Sequence, residues 1–120
     1  MSTPDTLALG RKGEQLACDF LTERGHQLLA RNYRNGRYEL DVISLDANGL
    51  HFVEVKDRKD ADYLDGCITA KKQKNMVAAA HRYIASHAHL SGLDYYFDVI
   101  MIVDGQSIDY YPQAFIPIYL

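Results

Sequence analysis

The sequence predicts an α/β fold: a mixed central sheet of about five strands flanked by helices, in the order α-β-β-β-α-β-β. Three observations lead there. Residues 37–45 and 50–56 alternate in polarity as strands do, around a turn-like Asp46-Ala47-Asn48-Gly49. Residues 68–88 carry a helical period that separates this hairpin from a later strand. That strand, residues 95–103, is apolar on both faces, as in a sheet covered from both sides.

The elements follow in order. Residues 6–24 read as a helix with Leu9, Leu16, Ala17, Phe20 and Leu21 on one stripe and Gly25 as its stop. Gly10 and Gly13 weaken its first turns, so a start nearer Gly10 is expected. Residues 27–33 form a first strand. In the hairpin, strict alternation puts Tyr38, Leu40 and Val42 on one face and Glu39, Asp41 and Ile43 on the other. Phe52, Glu54 and Lys56 share a face. With Ala47-Asn48 at the tip, Asp41 stands opposite Glu54 and Glu39 opposite Lys56. With Asn48-Gly49 at the tip, Asp41 faces Lys56 and Glu54 lies on the diagonal. Both registers gather the same charged group. Residues 57–66 form a charged loop. The second helix buries Met76, Ala80, Tyr83, Ile84 and His87 and acts as the crossover to the fourth strand. A short fifth strand, 107–111, follows an Asp104-Gly105 turn. Without linker, repeat or low-complexity tract, the expectation is one domain over residues 1–120.

Composition narrows the function classes. A net charge of −3 argues against broad non-specific coating of DNA, while leaving room for a local basic patch beside an acidic site. Cys18 and Cys67 make neither a disulfide framework nor a zinc spacing, and read as thiols in a reducing compartment. No apolar run is long enough for a membrane helix, and no basic region followed by an apolar stretch opens the chain. A cytoplasmic soluble protein is the expectation.

The chemistry centres on Asp41 and Glu54-Val55-Lys56. Acids gathered on one face of a half-buried hairpin repel each other unless a cation lies between them. Carboxylate and carbonyl oxygens suit a hard divalent ion, so Asp41 and Glu54 are candidate ligands for Mg²⁺ or Mn²⁺, with the Val55 carbonyl as a third. Such an ion supplies a charge sink and a nucleophilic water for phosphodiester hydrolysis. Lys56 is placed to orient water or balance the scissile phosphate. Glu14 is a candidate outer ligand if the first helix packs across the hairpin. Arg31 and Arg34, then Arg58 and Lys59, then Lys71, Lys72 and Lys74 form basic groups, read as a phosphate-gripping rim or as solvated surface. His81, His87 and His89 do not share a helix face and read as ordinary histidines. The paired tyrosines, Tyr95-Tyr96 and Tyr110-Tyr111, read as amphipathic strand or interface positions. Spacing alone carries limited weight, because E-x-K triplets are common on exposed strands. A buried ion pair with a structural role is an alternative for the same residues.

Gly10-Arg11-Lys12-Gly13-Glu14 with Ala17, Arg31-Asn32-Tyr33-Arg34, Glu39-Leu40-Asp41-Val42-Ile43, Phe52-Val53-Glu54-Val55-Lys56-Asp57-Arg58, Lys72-Gln73 and Phe97-Asp98-Val99-Ile100 occur in this order over nearly the whole chain. Together they resemble the YraN-like family of small bacterial proteins. The resemblance implies a restriction-endonuclease-like core of the PD-(D/E)-x-K type, similar to Holliday junction resolvases. It implies metal ligands at Asp41 and Glu54, an active-site lysine at Lys56, and supporting roles for Glu14, Glu39 and either Lys72 or Gln73. The sequence departs from the family at Tyr38, which stands in place of a glycine and puts the mode of substrate binding in question. The expectation is therefore a divalent-metal-dependent endonuclease acting on structured or branched DNA as a homodimer. Arg31, Arg34, Arg58, Lys72 and Gln73 would contact the nucleic acid. The alternative is a catalytically silent module that retains the fold and binds nucleic acid or protein.

Overall fold

A computed structural model describes residues 6–58 and 68–117. The expected element order is present: α1 (Thr6–Glu23), β1 (Gln27–Asn35), β2 (Tyr38–Asp46), β3 (Gly49–Arg58), α2 (Ala70–Ala85), β4 (Tyr95–Val103) and β5 (Ser107–Phe115). The five strands lie in sequence order in one sheet. The pairs β1/β2, β2/β3 and β4/β5 are antiparallel, and β3/β4 is parallel. A parallel pair of consecutive strands needs a crossover, and α2 provides it. Residues 59–66 of the expected charged loop, including Lys59, and Cys67 lie outside the described residues.

The sheet is covered on both faces. On one, α1 lays Ala17, Cys18 and Leu21 against Val42, Val53, Ile100 and Ile102. On the other, α2 lays Met76, Val77, Ala80 and Tyr83 against Leu40, Ile43, Phe52 and Phe97. This explains why residues 97–102 are buried without a break. Burial of the Cys18 side chain pushes its thiol pKa up, consistent with a core thiol.

Local chemistry sets the boundaries. Helix α1 begins at Thr6 rather than nearer Gly10. It ends in a Schellman-type closure: Gly25, at φ +92°, donates to the Thr22 carbonyl, and His26 donates to the Leu21 carbonyl. Helix α2 starts two residues later than its period indicated, because Thr69 caps it by accepting the Lys72 N–H at 3.1 Å. Strand β5 runs on through Pro112 to Phe115, four residues beyond its expected end. Proline is tolerated at this edge of the sheet, and the strand absorbs an irregularity at Gln113, whose φ is +51°.

The hairpin adopts the register with Ala47-Asn48 at its tip, pairing Asp46 with Gly49 and Val42 with Val53. Asp46 Oδ1 accepts the N–H groups of Asn48 and Gly49 and holds the turn. Gly49 has φ +144°, and a Cβ there would overlap the Asp94 carbonyl oxygen. Strict alternation fails in the middle of β2. Leu40 and Ile43 share the α2 face, while Val42 lies on the α1 face. The fault lies between the β1/β2 pairs Arg31↔Val42 and Tyr33↔Leu40, where Asn32 takes a left-handed φ of +51°. Asp41 occupies the rung opposite Asn32.

Candidate active site

Asp41 therefore stands where the regular pleat is interrupted and where the β2/β3 ladder ends, beyond Val42↔Val53. Its side chain replaces the missing backbone pairing: Oδ2 accepts the Val55 N–H at 2.8 Å. Glu54 follows Val53 on β3 and is only 5% exposed, on the same face as Phe52. Its carboxylate lies 3.6 Å from Lys56 Nζ through Oε1 and 3.3 Å from Lys72 Nζ through Oε2. Lys72 reaches it from the first turn of α2, fixed there by the Thr69 cap.

The electrostatics of the pair are unbalanced. The Asp41 pKa is raised from 3.8 to about 7, with burial the largest cause. The Glu54 charge contributes next to that rise, the Val55 N–H opposes it, Glu14 adds to it and Lys72 lowers it. Two carboxylates share a largely dry site, and a neighbouring cation or proton is what would stabilise both. The donor set, two carboxylates with a backbone amide already holding one of them, fits a hard divalent cation.

Glu14 is half-buried on α1 and is felt by Asp41. The helix can approach because Gly13 is buried: a Cβ there would sit 3.2 Å from Asp57 Oδ2 at the end of β3. Lys56 is placed beside Glu54, as the spacing indicates. Val55 contributes its N–H to Asp41.

Other expected residues stand apart. Glu39 does not join Asp41 and Glu54; it pairs with Arg34 at 3.0 Å, the two side chains 53% and 73% exposed. The interrupted pleat removes the regular alternation that would have aligned Glu39 with Asp41. Arg31 donates to Gln15 of α1 at 2.8 Å. Arg58 donates to the Asp57 carbonyl at 3.0 Å, and Gln73 to the Ile68 carbonyl at 3.4 Å. Tyr38 accepts from Arg37 and lies under the Arg37 and Arg82 guanidinium groups, at 5.1 and 4.8 Å from its ring centre. Lys72, which the sequence offers as phosphate rim, solvated surface or supporting residue, lies on Glu54.

Sequence reading missed a second polar network, at the turn end of the hairpin. His51 bridges Asp98 and Asp46, at 2.7 and 2.8 Å. His26 lies against Asp46 at 3.4 Å and Ser44 at 2.8 Å, and Tyr110 donates to Asp98 at 2.6 Å. Asp98, fully buried in an otherwise apolar strand, was the available signal. His87 lies past the end of α2 rather than on its buried face, half-buried and stacked on Tyr83, and His81 is exposed.

Among the described residues, no helix is long and apolar enough to cross a membrane. The chain superposes on Hjc, a Holliday junction resolvase from Archaeoglobus fulgidus, with a TM-score of 0.57 at 14% identity, covering 87% of this chain and 77% of that one. That likeness establishes a restriction-endonuclease-like fold. A UPF0102 protein of Chloroherpeton thalassium is 41% identical over 103 residues, covering 84% of this chain and 79% of its own. One from Chloroflexus aurantiacus is 35% identical over 112 residues, covering 92% of each. Residues 13–102 match the model of the uncharacterised protein family UPF0102. With the motif order read from the sequence, these matches establish that the chain belongs to the UPF0102, or YraN-like, family.

Proposed function

We propose that this protein is a divalent-metal-dependent endonuclease that hydrolyses phosphodiester bonds in DNA, with branched or otherwise structured DNA as its substrate. The observation that carries the reading is the Asp41–Glu54 pair: two acids brought together where the sheet opens, with the Asp41 pKa raised to about 7 by burial and by its neighbour. The resolvase-like fold supports the substrate class, although a fold by itself does not fix an activity.

Asp41 and Glu54 would hold Mg²⁺ or Mn²⁺, with the Val55 carbonyl as a further donor, and Glu14 would add negative charge behind them. When bound, such an ion supplies an activated water and a sink for charge on the phosphate. The Val55 N–H fixes the orientation of Asp41, leaving Oδ1 available. Lys56 and Lys72 hold Glu54 from two elements. With a cation on Asp41 and Glu54, Lys56 would be placed to hold the scissile phosphate or position water. Arg31, Arg34, Arg58 and Gln73 would contact the nucleic-acid backbone.

The test is cleavage of four-way junction, flap and single-stranded DNA with Mg²⁺ or Mn²⁺. Cleavage abolished in Asp41→Ala and in Glu54→Ala supports the reading; cleavage that persists in both overturns it. A second reading, a non-cleaving binding module, draws on one observation: Glu54 is already neutralised by two lysines without a metal. Junction binding with unchanged affinity in Asp41→Ala, and no heat of Mn²⁺ binding at millimolar concentration, would favour it.

A further inference from the structure

We propose that His26, Asp46 and His51 form a second metal site, selective for a borderline transition-metal ion of the Zn²⁺ type and separate from the Asp41–Glu54 pair. The three residues come from the α1/β1 junction and the two sides of the hairpin turn. One ligand atom from each lies within 4.8 Å of the others. His51 Nε2 is 2.8 Å from Asp46 Oδ1, and His26 Nε2 is 3.4 Å from Asp46 Oδ2. Ligands bonded to Zn²⁺ at 2.0–2.1 Å in a tetrahedral shell are about 3.3 Å apart, so small side-chain rotations close the site.

Proton accounting at His51 supplies the second argument. Asp98 is fully buried, and its Oδ1 accepts the Gln113 N–H while Oδ2 accepts the Tyr110 hydroxyl. With Asp98 acting as an acceptor, His51 Nδ1 carries the proton of their 2.7 Å bond. In a neutral ring, Nε2 then presents a lone pair to Asp46 Oδ1, an oxygen that already accepts two backbone N–H groups. Two lone pairs at that distance repel, so positive charge belongs between them. His26 aims its Nε2 at the other Asp46 oxygen, with its ring 4.6 Å from that of His51. A proton on His51 Nε2 alone would supply that charge; a divalent ion would supply it and also engage His26 Nε2 and the second Asp46 oxygen.

The surroundings are those of a built metal centre. Asp98 orients His51 through Nδ1, and the buried Ser44 hydroxyl contacts His26 Nδ1 at 2.8 Å. Mixed imidazole and carboxylate donors favour Zn²⁺-type ions over Mg²⁺. The site is on the α1 face at the turn end, whereas Glu54 faces α2. Five residues of extended strand, about 16 Å, separate Asp46 from Asp41. Three protein ligands leave a fourth position, and a bound ion would tie β1 to the hairpin and, through Asp98, to β4 and β5.

The test is calorimetric titration of the full chain with Zn²⁺ and absorption spectroscopy with Co²⁺. The Asp41→Ala/Glu54→Ala double variant should retain one Zn²⁺ with wild-type affinity, and its melting temperature should rise on adding Zn²⁺. His26→Gln and His51→Gln should weaken binding at least 100-fold and lose the Co²⁺ ligand-field bands. Asp98→Asn, which touches no ion, should weaken binding about 10- to 100-fold. Circular dichroism checks folding, and His26→Gln carries the test if His51→Gln does not fold. Absence of Zn²⁺ binding at micromolar concentration overturns the proposal and identifies the cluster as a protonated histidine held by two carboxylates. Binding that survives both histidine substitutions but disappears in the double variant also overturns it.

Discussion

The Asp41 carboxylate accepts the Val55 N–H at 2.8 Å, one residue past the last backbone pair of the β2/β3 ladder. A side chain thus completes a rung of the sheet while standing next to a second buried acid, Glu54. The arrangement fixes the orientation of Asp41 at the expense of burying its charge.

That penalty is measurable through pH. In metal-free protein the Asp41 pKa is about 7, against 3.8 for the ordinary group. Between those values the folded state holds a proton that the unfolded state has released, so stability falls as pH rises through the window and the penalty is constant above it. Asp41→Asn keeps an acceptor for Val55 and removes the charge. Urea unfolding in EDTA at pH 8 should find it about 1–3 kcal/mol more stable than wild type, with the gap shrinking by pH 5. A destabilised variant at pH 8 would contradict the burial of an ionised acid.

Lys56 and Lys72 share Glu54 but arrive from different elements, and their substitutions should separate in kinetics. Lys56→Ala should lower the single-turnover cleavage rate about 10²–10³-fold, the range seen when one transition-state donor is lost. Lys72→Ala should lower it less and weaken Mn²⁺ binding little. Equal rate losses in the two variants would assign Lys72 to the reacting phosphate.

The exposed Arg34–Glu39 pair separates binding from folding. Because both side chains are largely in solvent, Arg34→Ala should change stability by no more than about 0.5 kcal/mol. Junction-DNA affinity should nevertheless fall, and the slope of log affinity against log salt should shrink by about 1. An unchanged slope would remove Arg34 from the interface.

Tyr110→Phe tests the buried network. It deletes one of the donors to Asp98 and should cost about 1–3 kcal/mol in chemical unfolding. A neutral result would mean that water replaces the hydroxyl.

Gly49→Ala should be more damaging than a typical turn substitution. Its φ of +144° and the adjacent Asp94 carbonyl leave no room for a methyl group. A loss of about 2–4 kcal/mol is expected, read as a lower urea midpoint at unchanged slope.

The sequence by itself determined the order of elements, the crossover role of α2, the doubly buried β4 and the placing of Glu54 near Asp41 and beside Lys56. Each depends on local periodicity or on a hairpin whose partners are close in the chain, and both turn registers gave nearly the same neighbours. Tertiary structure alone decided three things. It broke the pleat at Asp41, because Asn32 on the adjoining strand takes a left-handed conformation, and so left Glu39 with Arg34. It brought Lys72 to Glu54, because the packing of α2 sets where its capped first turn lies. It assembled His26, Asp46, His51, Asp98 and Tyr110 from a helix stop, a turn and three strands. Side chains that meet across elements far apart in sequence leave no period for a sequence to display; only the buried Asp98 in its apolar strand marked that they would meet.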